Sequence, residues 1–161
     1  MREIILDTET TGLNIDDGHR VIEIAACEMK NYVLTGEKLH FYINPEREID
    51  KVASSVHGLT NDDLIDKPKF IEIYEEFLEF VGDDRLIIHN AEFDITHLNN
   101  ELKIAGKKII DKSNVIDTLE IARNKFPGSQ ISLDALCKRY RIDNSKPVSY
   151  THLTLPTIYS V

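Results

Sequence analysis

Two cysteines, no tryptophan and no long apolar run set the first limits on this 161-residue chain. Cys27 and Cys137 lie far apart inside apolar patterns, so there is no disulfide framework and no metal-type cysteine spacing. Both read as small buried hydrophobes of a reduced compartment, which favours the cytoplasm. No stretch approaches the ~20 apolar residues that span a bilayer, and Met1-Arg2-Glu3 opens no signal peptide, so no membrane association is expected. Cations are scarce beside anions, 19 Lys and Arg against 28 Asp and Glu, giving a formal net charge of −9. That argues against a broad basic surface that grips duplex DNA through many phosphates. It leaves room for one or two phosphates held through bound metal ions, which invert the local sign. Internal repeats and low-complexity tracts are also absent. What remains, 42% hydrophobic and 29% charged, is the composition of one globular domain with a proper core.

What is present is organised around Ile4-Ile5-Leu6-Asp7-Thr8-Glu9-Thr10-Thr11-Gly12. A buried strand ends in two carboxylates spaced two apart, and residues i and i+2 of a strand share a face. Asp7 and Glu9 therefore project together from a rigid element, as ligands for a divalent cation must. Alone, the pair also fits a strand that simply ends in a polar turn.

A strand is predicted over 21–29, apolar on both faces except Glu23 and Glu28. Leu39, Phe41 and Ile43 alternate with Lys38, His40 and Tyr42 in a third strand. Thr35-Gly36 falls in the connection, so an antiparallel hairpin is expected there, and Asn44-Pro45 stops it. Short helical turns are expected around Val52-Ala53 and Asn61-Asp62-Asp63-Leu64, with His57 between them in a loop. Phe70, Ile73, Tyr74, Phe77, Leu78 and Val81 give the strongest helical period in the chain, opened by Lys67-Pro68 and closed by Gly82.

A short strand over 85–88 then leads into a helix for which Asn90 is the expected N-cap. Glu92 and Asp94 occupy that helix's first turn, where a negative charge also suits the dipole. Val115-Ile116 forms a brief strand, and Asp117 is expected to cap the helix carrying Leu119, Ala122 and Phe126, broken by Pro127-Gly128. Ser132 is expected to cap a last helix with Leu133, Leu136, Cys137 and Tyr140 inside. This order predicts an α/β fold, a mixed sheet with helices on both faces. If the strand over 85–88 lies beside the first, Asp94 falls near Asp7 and Glu9. Three converging carboxylates repel unless cations sit between them, and hard oxygen ligands select Mg²⁺ or Mn²⁺.

Together, Asp7-Thr8-Glu9-Thr10-Thr11-Gly12, Val56-His57-Gly58, His89-Asn90-Ala91-Glu92-Phe93-Asp94 and Asp143-Asn144-Ser145-Lys146 resemble the DEDDh 3′→5′ exonucleases, within them the epsilon-type proofreading subunits of bacterial DNA polymerase III. The resemblance covers 3–146 and takes in Phe126-Pro127-Gly128 and the run 132–137. It implies a ribonuclease-H-like fold with a five-stranded mixed sheet flanked by helices. It also implies two-metal-ion hydrolysis at DNA 3′ ends, with Mg²⁺ or Mn²⁺ held by Asp7, Glu9 and Asp94 as catalytic and metal-ligating residues. Asp7 would bridge both ions. Substrate binding would involve those carboxylates together with Thr10 and Thr11, Leu13 against the terminal base, His57 lining the pocket and Asn90 positioning the strand. The implied partners are a single-stranded or frayed DNA 3′ end and the DNA polymerase III catalytic subunit.

The likeness stops at Lys146. The family completes its site with H-x-A-x-x-D, a histidine base and a fourth carboxylate on a final helix. Here Pro147 begins a tail, 147–161, without Asp, Glu, Lys or Arg, resembling translated sequencing adapter. His152 is followed five residues later by Thr157, so no general base is identifiable. The expectation is an exonuclease domain over 1–146 that lacks the final helix and is impaired, plus an extraneous tail. The alternatives are an RNA-trimming relative and a non-catalytic nucleic-acid-binding or polymerase-associated module.

Overall fold

The computed structural model describes residues 1–142. The Asp143-to-Lys146 motif, the tail over 147–161 and the expected absence of a final helix therefore lie outside the described residues. Five strands, β1 (Arg2–Thr10), β2 (Val21–Lys30), β3 (Val33–Tyr42), β4 (Arg85–Ile88) and β5 (Val115–Asp117), form one mixed sheet in the order β3-β2-β1-β4-β5. The β1–β2 and β2–β3 pairs are antiparallel, whereas β4 and β5 run parallel to β1. Among the described residues six α-helices accompany them: α1 (Lys51–His57), α2 (Asn61–Leu64), α3 (Phe70–Val81), α4 (Ala91–Ile104), α5 (Thr118–Lys125) and α6 (Leu133–Tyr140). Among the described residues no helix is long and apolar enough to cross a membrane.

The central position of β1 follows from its sequence. Ile4 and Leu6 point to one face, where they join Phe70, Phe77 and Val81 of α3 and Ile95, Leu98 and Leu102 of α4. Ile5 points to the other face and packs with Met29, Ile87 and Leu133 of α6. Ile4, Ile5 and Leu6 are all fully buried, and each such side chain contributes ~1.5–3 kcal/mol. A strand apolar on both faces has to be covered on both, and helices do the covering. The same alternation, carried past Leu6, sends Asp7 and Glu9 to the α6 side and Thr8 and Thr10 to the α4 side.

Three local expectations are corrected. The β2–β3 hairpin turns at Asn31-Tyr32, both with positive φ (51° and 66°), and Thr35-Gly36 lies inside β3. A two-residue turn of that hand matches the twist of the flanking strands. Gly36 keeps a special conformation (φ 94°) beside a register shift between the Cys27 and Met29 pairings. Ile43 lies just past β3, although it is buried and donates its N–H to the Ile22 carbonyl. Cys27 is half-buried rather than buried, and desolvation pushes its thiol up to about 11.

Candidate active site

The site forms where β1 runs out beside the first turn of α4. Because β4 pairs in parallel with β1, the helix that follows β4 starts at the carboxyl end of β1. Asp94 is only 3% exposed. One of its carboxylate oxygens accepts from both the backbone N–H of Thr8 (3.0 Å) and the Thr8 hydroxyl (2.6 Å). Burial, and then the charge of Asp7, push the Asp94 carboxyl up to about 8 against the pull of those two hydrogen bonds. Asp7 is thus close enough to Asp94 for its charge to disfavour the ionisation of Asp94. Asp7 and Glu9 are half-buried on the opposite face of β1 from Thr8.

Among the described residues no three His, Cys, Asp or Glu side chains stand as a ready ligand set for an ion. The Asp94 carboxylate is engaged by Thr8 instead. The donor set nonetheless has the right chemistry for a hard divalent cation, since all its oxygens are carboxylate oxygens and its buried member is held away from ionisation by burial and then by the charge of Asp7.

Asn90 occupies the N-cap position of α4 but does not cap it. Its backbone is left-handed (φ 69°, ψ 51°), and its side chain makes no cap hydrogen bond. Asp117 does the work from the end of β5, accepting from the N–H groups of Asn90 (3.0 Å), Ala91 (3.1 Å) and Leu119 (2.8 Å). One carboxylate therefore caps α4 and α5 together, and Asn90 stays exposed at the rim. Next to it, the Nδ1 atom of His89 bonds the Thr118 hydroxyl (3.0 Å).

The remaining predicted residues surround the end of β1. Leu13 is 75% exposed. His57 is the last residue of α1 rather than a loop residue. Its Nδ1 accepts from Leu59 N–H (3.1 Å), which places the proton of the neutral ring on Nε2. That Nε2 is buried beside the Thr10 backbone without a well-formed hydrogen bond, and desolvation lowers the pKa of the ring. Thr10 is buried, and its hydroxyl donates to the Gly12 carbonyl (2.7 Å). Thr11 faces wholly inward: its N–H donates to Arg20, its carbonyl accepts from Asp50, and its hydroxyl bonds His19 (2.9 Å).

Sequence reasoning missed the layer beneath this loop. His19 is buried, and its ring lies so near Gly12 that an added Cβ would sit 2.2 Å from it. Arg20 makes a two-pronged bond to Glu101 (2.7 Å each), and Glu101 also accepts from Val21 N–H (3.1 Å). His97 donates from Nδ1 to the Phe93 carbonyl (2.9 Å) and packs against the Phe93 ring. One local signal existed: Glu101 falls in the buried stripe of α4 between Leu98 and Leu102, where an acid demands a cationic partner.

Comparison with known proteins agrees with this arrangement. Residues 4–153 match the family model described as Exonuclease. The DNA polymerase III subunit epsilon of Rickettsia felis is 56% identical over 148 residues, covering 90% of this chain and 65% of the relative. The subunit of the same name from Escherichia coli is 47% identical over 153 residues, covering 90% and 63%. The chain thus spans somewhat under two thirds of the length of these curated relatives. Among solved structures, exonuclease X in complex with 5′ overhanging duplex DNA superposes with a TM-score of 0.75 at 24% identity, over 98% of this chain and 88% of that one. The ExoI/SSB-Ct complex gives 0.82 at 17% identity, over 98% and 39%. At those identities the structures establish the ribonuclease-H-like exonuclease fold, and the family match over nearly the whole chain carries the rest: this chain belongs to the exonuclease family.

Proposed function

We propose that this chain is the 3′→5′ exonuclease domain of a replicative proofreading subunit, hydrolysing the terminal phosphodiester of a DNA 3′ end to release a nucleoside monophosphate. The observation that carries the reading is Asp94, a buried carboxylate brought to β1 by α4 and held away from ionisation by burial and by Asp7. Asp7, Glu9 and Asp94 would hold the Mg²⁺ or Mn²⁺ ions, which when bound would supply electrostatic stabilisation of the attacking and leaving oxygens.

The chain's own residues do the positioning. Asp7 and Glu9 are fixed by a strand that cannot move without opening the core. The exposed Leu13 offers an apolar contact for the terminal base, and His57, beside Thr10, lines the nucleotide pocket. The Thr10-Thr11 loop, anchored from below by His19 and Arg20, keeps the 3′ side of the nucleotide in place. The Asn90 side-chain amide, relieved of capping by Asp117, is available to the strand. A paired terminus has to fray to reach these groups, and a mismatch frays at lower cost, which is the basis of proofreading selectivity.

On this reading residues 1–146 are the nuclease domain and 147–161 an extraneous tail. The DNA polymerase III catalytic subunit is the partner, and the cytoplasm is the compartment. Residues 147–161 carry no H-x-A-x-x-D, and the reading includes an impaired hydrolysis step for a chain with those residues in that place. The test is degradation of 5′-labelled DNA and RNA oligonucleotides with Mn²⁺, by this chain and by a version carrying an H-x-A-x-x-D helix after Lys146. The extended version is expected to trim DNA from the 3′ end about 10²- to 10⁴-fold faster, the usual contribution of a general base. Faster loss of RNA than DNA would replace proofreading with RNA trimming. No trimming by either version would leave a binding module.

A further inference from the structure

Residues 118–142 differ in charge from the rest of the chain. They carry Arg123, Lys125, Lys138, Arg139 and Arg141 against only Glu120 and Asp134, in a protein of net charge −9. All five cations are exposed. Part of this placement answers the helix dipoles, because α5 ends in Arg123 and Lys125 and α6 in Lys138 and Arg139. A helix C-terminus presents only about half a negative charge, however, so two cations on each short helix overcompensate.

The surplus gathers around two half-buried rings. Phe126 and Tyr140 meet edge-on with centroids 6.1 Å apart. The Arg139 guanidinium lies 4.3 Å from the Phe126 centroid, and the Lys125 ammonium lies 5.8 Å from both rings. Aromatic faces and a planar guanidinium beside phosphate-seeking ammonium groups are the means by which single strands are held without sequence preference. The position fits too. Leu133 of α6 packs with Ile5 and Ile87 on the sheet face from which Asp7 and Glu9 project. Beginning next to Asp117, at the rim that holds Asn90, α5 runs its eight residues, about 12 Å, to Lys125.

We propose that the carboxyl ends of α5 and α6, centred on Lys125, Phe126, Arg139 and Tyr140, form a second contact for single-stranded nucleic acid, gripping the strand outside the carboxylate site. The proposal rests on the exonuclease reading for its choice of occupant. It separates gripping from hydrolysis: the acidic end needs cations to tolerate a phosphate, and this basic face does not.

The test is fluorescence anisotropy of a labelled oligo-dT in EDTA, titrated with salt. Wild-type chain is expected to bind with an affinity that falls linearly in log salt. The K125A/R139A variant is expected to lose about 5- to 10-fold in affinity at low salt and to show a slope shallower by about 1.4, at ~0.7 per phosphate contact. Phe126→Leu, which keeps an apolar side chain in the α5–α6 core, is expected to weaken binding several-fold with the slope unchanged. Circular dichroism melts check that both variants fold. An unchanged slope and affinity in folded K125A/R139A would overturn the proposal, as would displacement of the oligonucleotide by polyglutamate as readily as by unlabelled oligo-dT. Mn²⁺-dependent binding of thymidine monophosphate reports the carboxylate site separately. It is expected to survive K125A/R139A and to fail in Asp7→Ala; indifference to Asp7→Ala sinks the exonuclease reading and, with it, the choice of occupant.

Discussion

At the amino end of β1 the carboxylates of Glu28 and Asp84 meet Arg2, which also donates to the Phe80 carbonyl. Hydrogen bonds from Arg2 and then Lys30 pull Glu28 down to about 2. At the carboxyl end Asp94 meets Asp7, and its carboxyl is pushed up to about 8. The two ends, marked on β1 by Arg2 and Asp7, five residues apart, use the same acid chemistry, and the shifts of Glu28 and Asp94 run in opposite directions. What differs is the weight of burial and then the partner the fold supplies: Glu28 is answered by a guanidinium, whereas Asp94 is pushed up by burial and, after that, by the charge of a second carboxylate. The first arrangement ties β1 to β2 and α3. The second sets Asp94 beside a like charge, a repulsion that a bound cation would relieve.

The sharpest way to break this comparison is Asp94→Asn. Removing one carboxylate from the set is expected to weaken Mn²⁺ binding by about 100-fold or more, measured by titration calorimetry. In EDTA the same change is expected to stabilise the fold at neutral pH, by about 1–3 kcal/mol, because folding no longer has to take up a proton on a buried acid. The pH dependence follows from the raised value. Between about 4 and 8 the native chain holds a proton on Asp94 that the unfolded chain has lost, so stability is fully present below the unfolded value and declines as pH rises through about 8. Thermal melts in EDTA from pH 5 to 8 are expected to show that decline in the wild type and a flatter line in Asp94→Asn. A parallel decline in both would assign it elsewhere.

Arg2→Ala tests the other end. It removes two ion pairs and the Phe80 contact, and is expected to lower the thermal midpoint by roughly 5–10 °C while leaving Mn²⁺ affinity unchanged. Glu28, whose depressed value favours folding above the ordinary carboxylate range and loses that benefit as pH falls toward about 2, is expected to lose its acid-side contribution in this variant. If Mn²⁺ binding weakened as well, the two ends of β1 would be coupled rather than independent.

Gly12→Ala probes how the site end is held from below. An added Cβ would meet the His19 ring at 2.2–2.5 Å, and His19 is buried with nowhere to retreat. A loss of about 1–3 kcal/mol is expected, in the range of overpacked cores. Adding His19→Ala removes the obstacle, so the double variant is expected to lose less than the sum of the two singles. Strict additivity would show that the ring is not what requires glycine there.

These examples also show what the sequence could and could not reveal. The sheet and α3 were legible because their periods are local: a three-residue apolar run ending in D-x-E, and six apolar residues at helical spacing. The hairpin turn is not legible in the same way, because Thr35-Gly36 is the stronger local turn signal, yet the structure has that glycine beside a register shift and turns at Asn31-Tyr32. Asn90 is a good local cap residue, but the actual cap arrives 27 positions later from Asp117, which only tertiary structure can bring there. Likewise the Arg20–Glu101 bond spans 81 positions. The site carboxylates themselves could be nominated from their motifs, whereas the Thr8 grip on Asp94 could not.

The smallest expected effect concerns an exception at the amino end. Glu3 is 1% exposed, neither of its carboxylate oxygens has a hydrogen-bond partner, and Arg85 reaches it only at 3.5 Å. Unlike Glu28, it is an acid that the fold buries and answers poorly. Replacing a buried, badly paired ion by an apolar side chain of similar size is often neutral or stabilising, because desolvation of the charge exceeds the attraction recovered. Arg85, itself largely solvated, is left with water. Glu3→Met is therefore expected to raise stability by about 0.5–1 kcal/mol in urea titrations, with Mn²⁺ binding unaffected. A loss of stability instead would mean that the Arg85 contact outweighs the burial of Glu3, and that the amino end of β1 satisfies all of its acids while the carboxyl end alone does not.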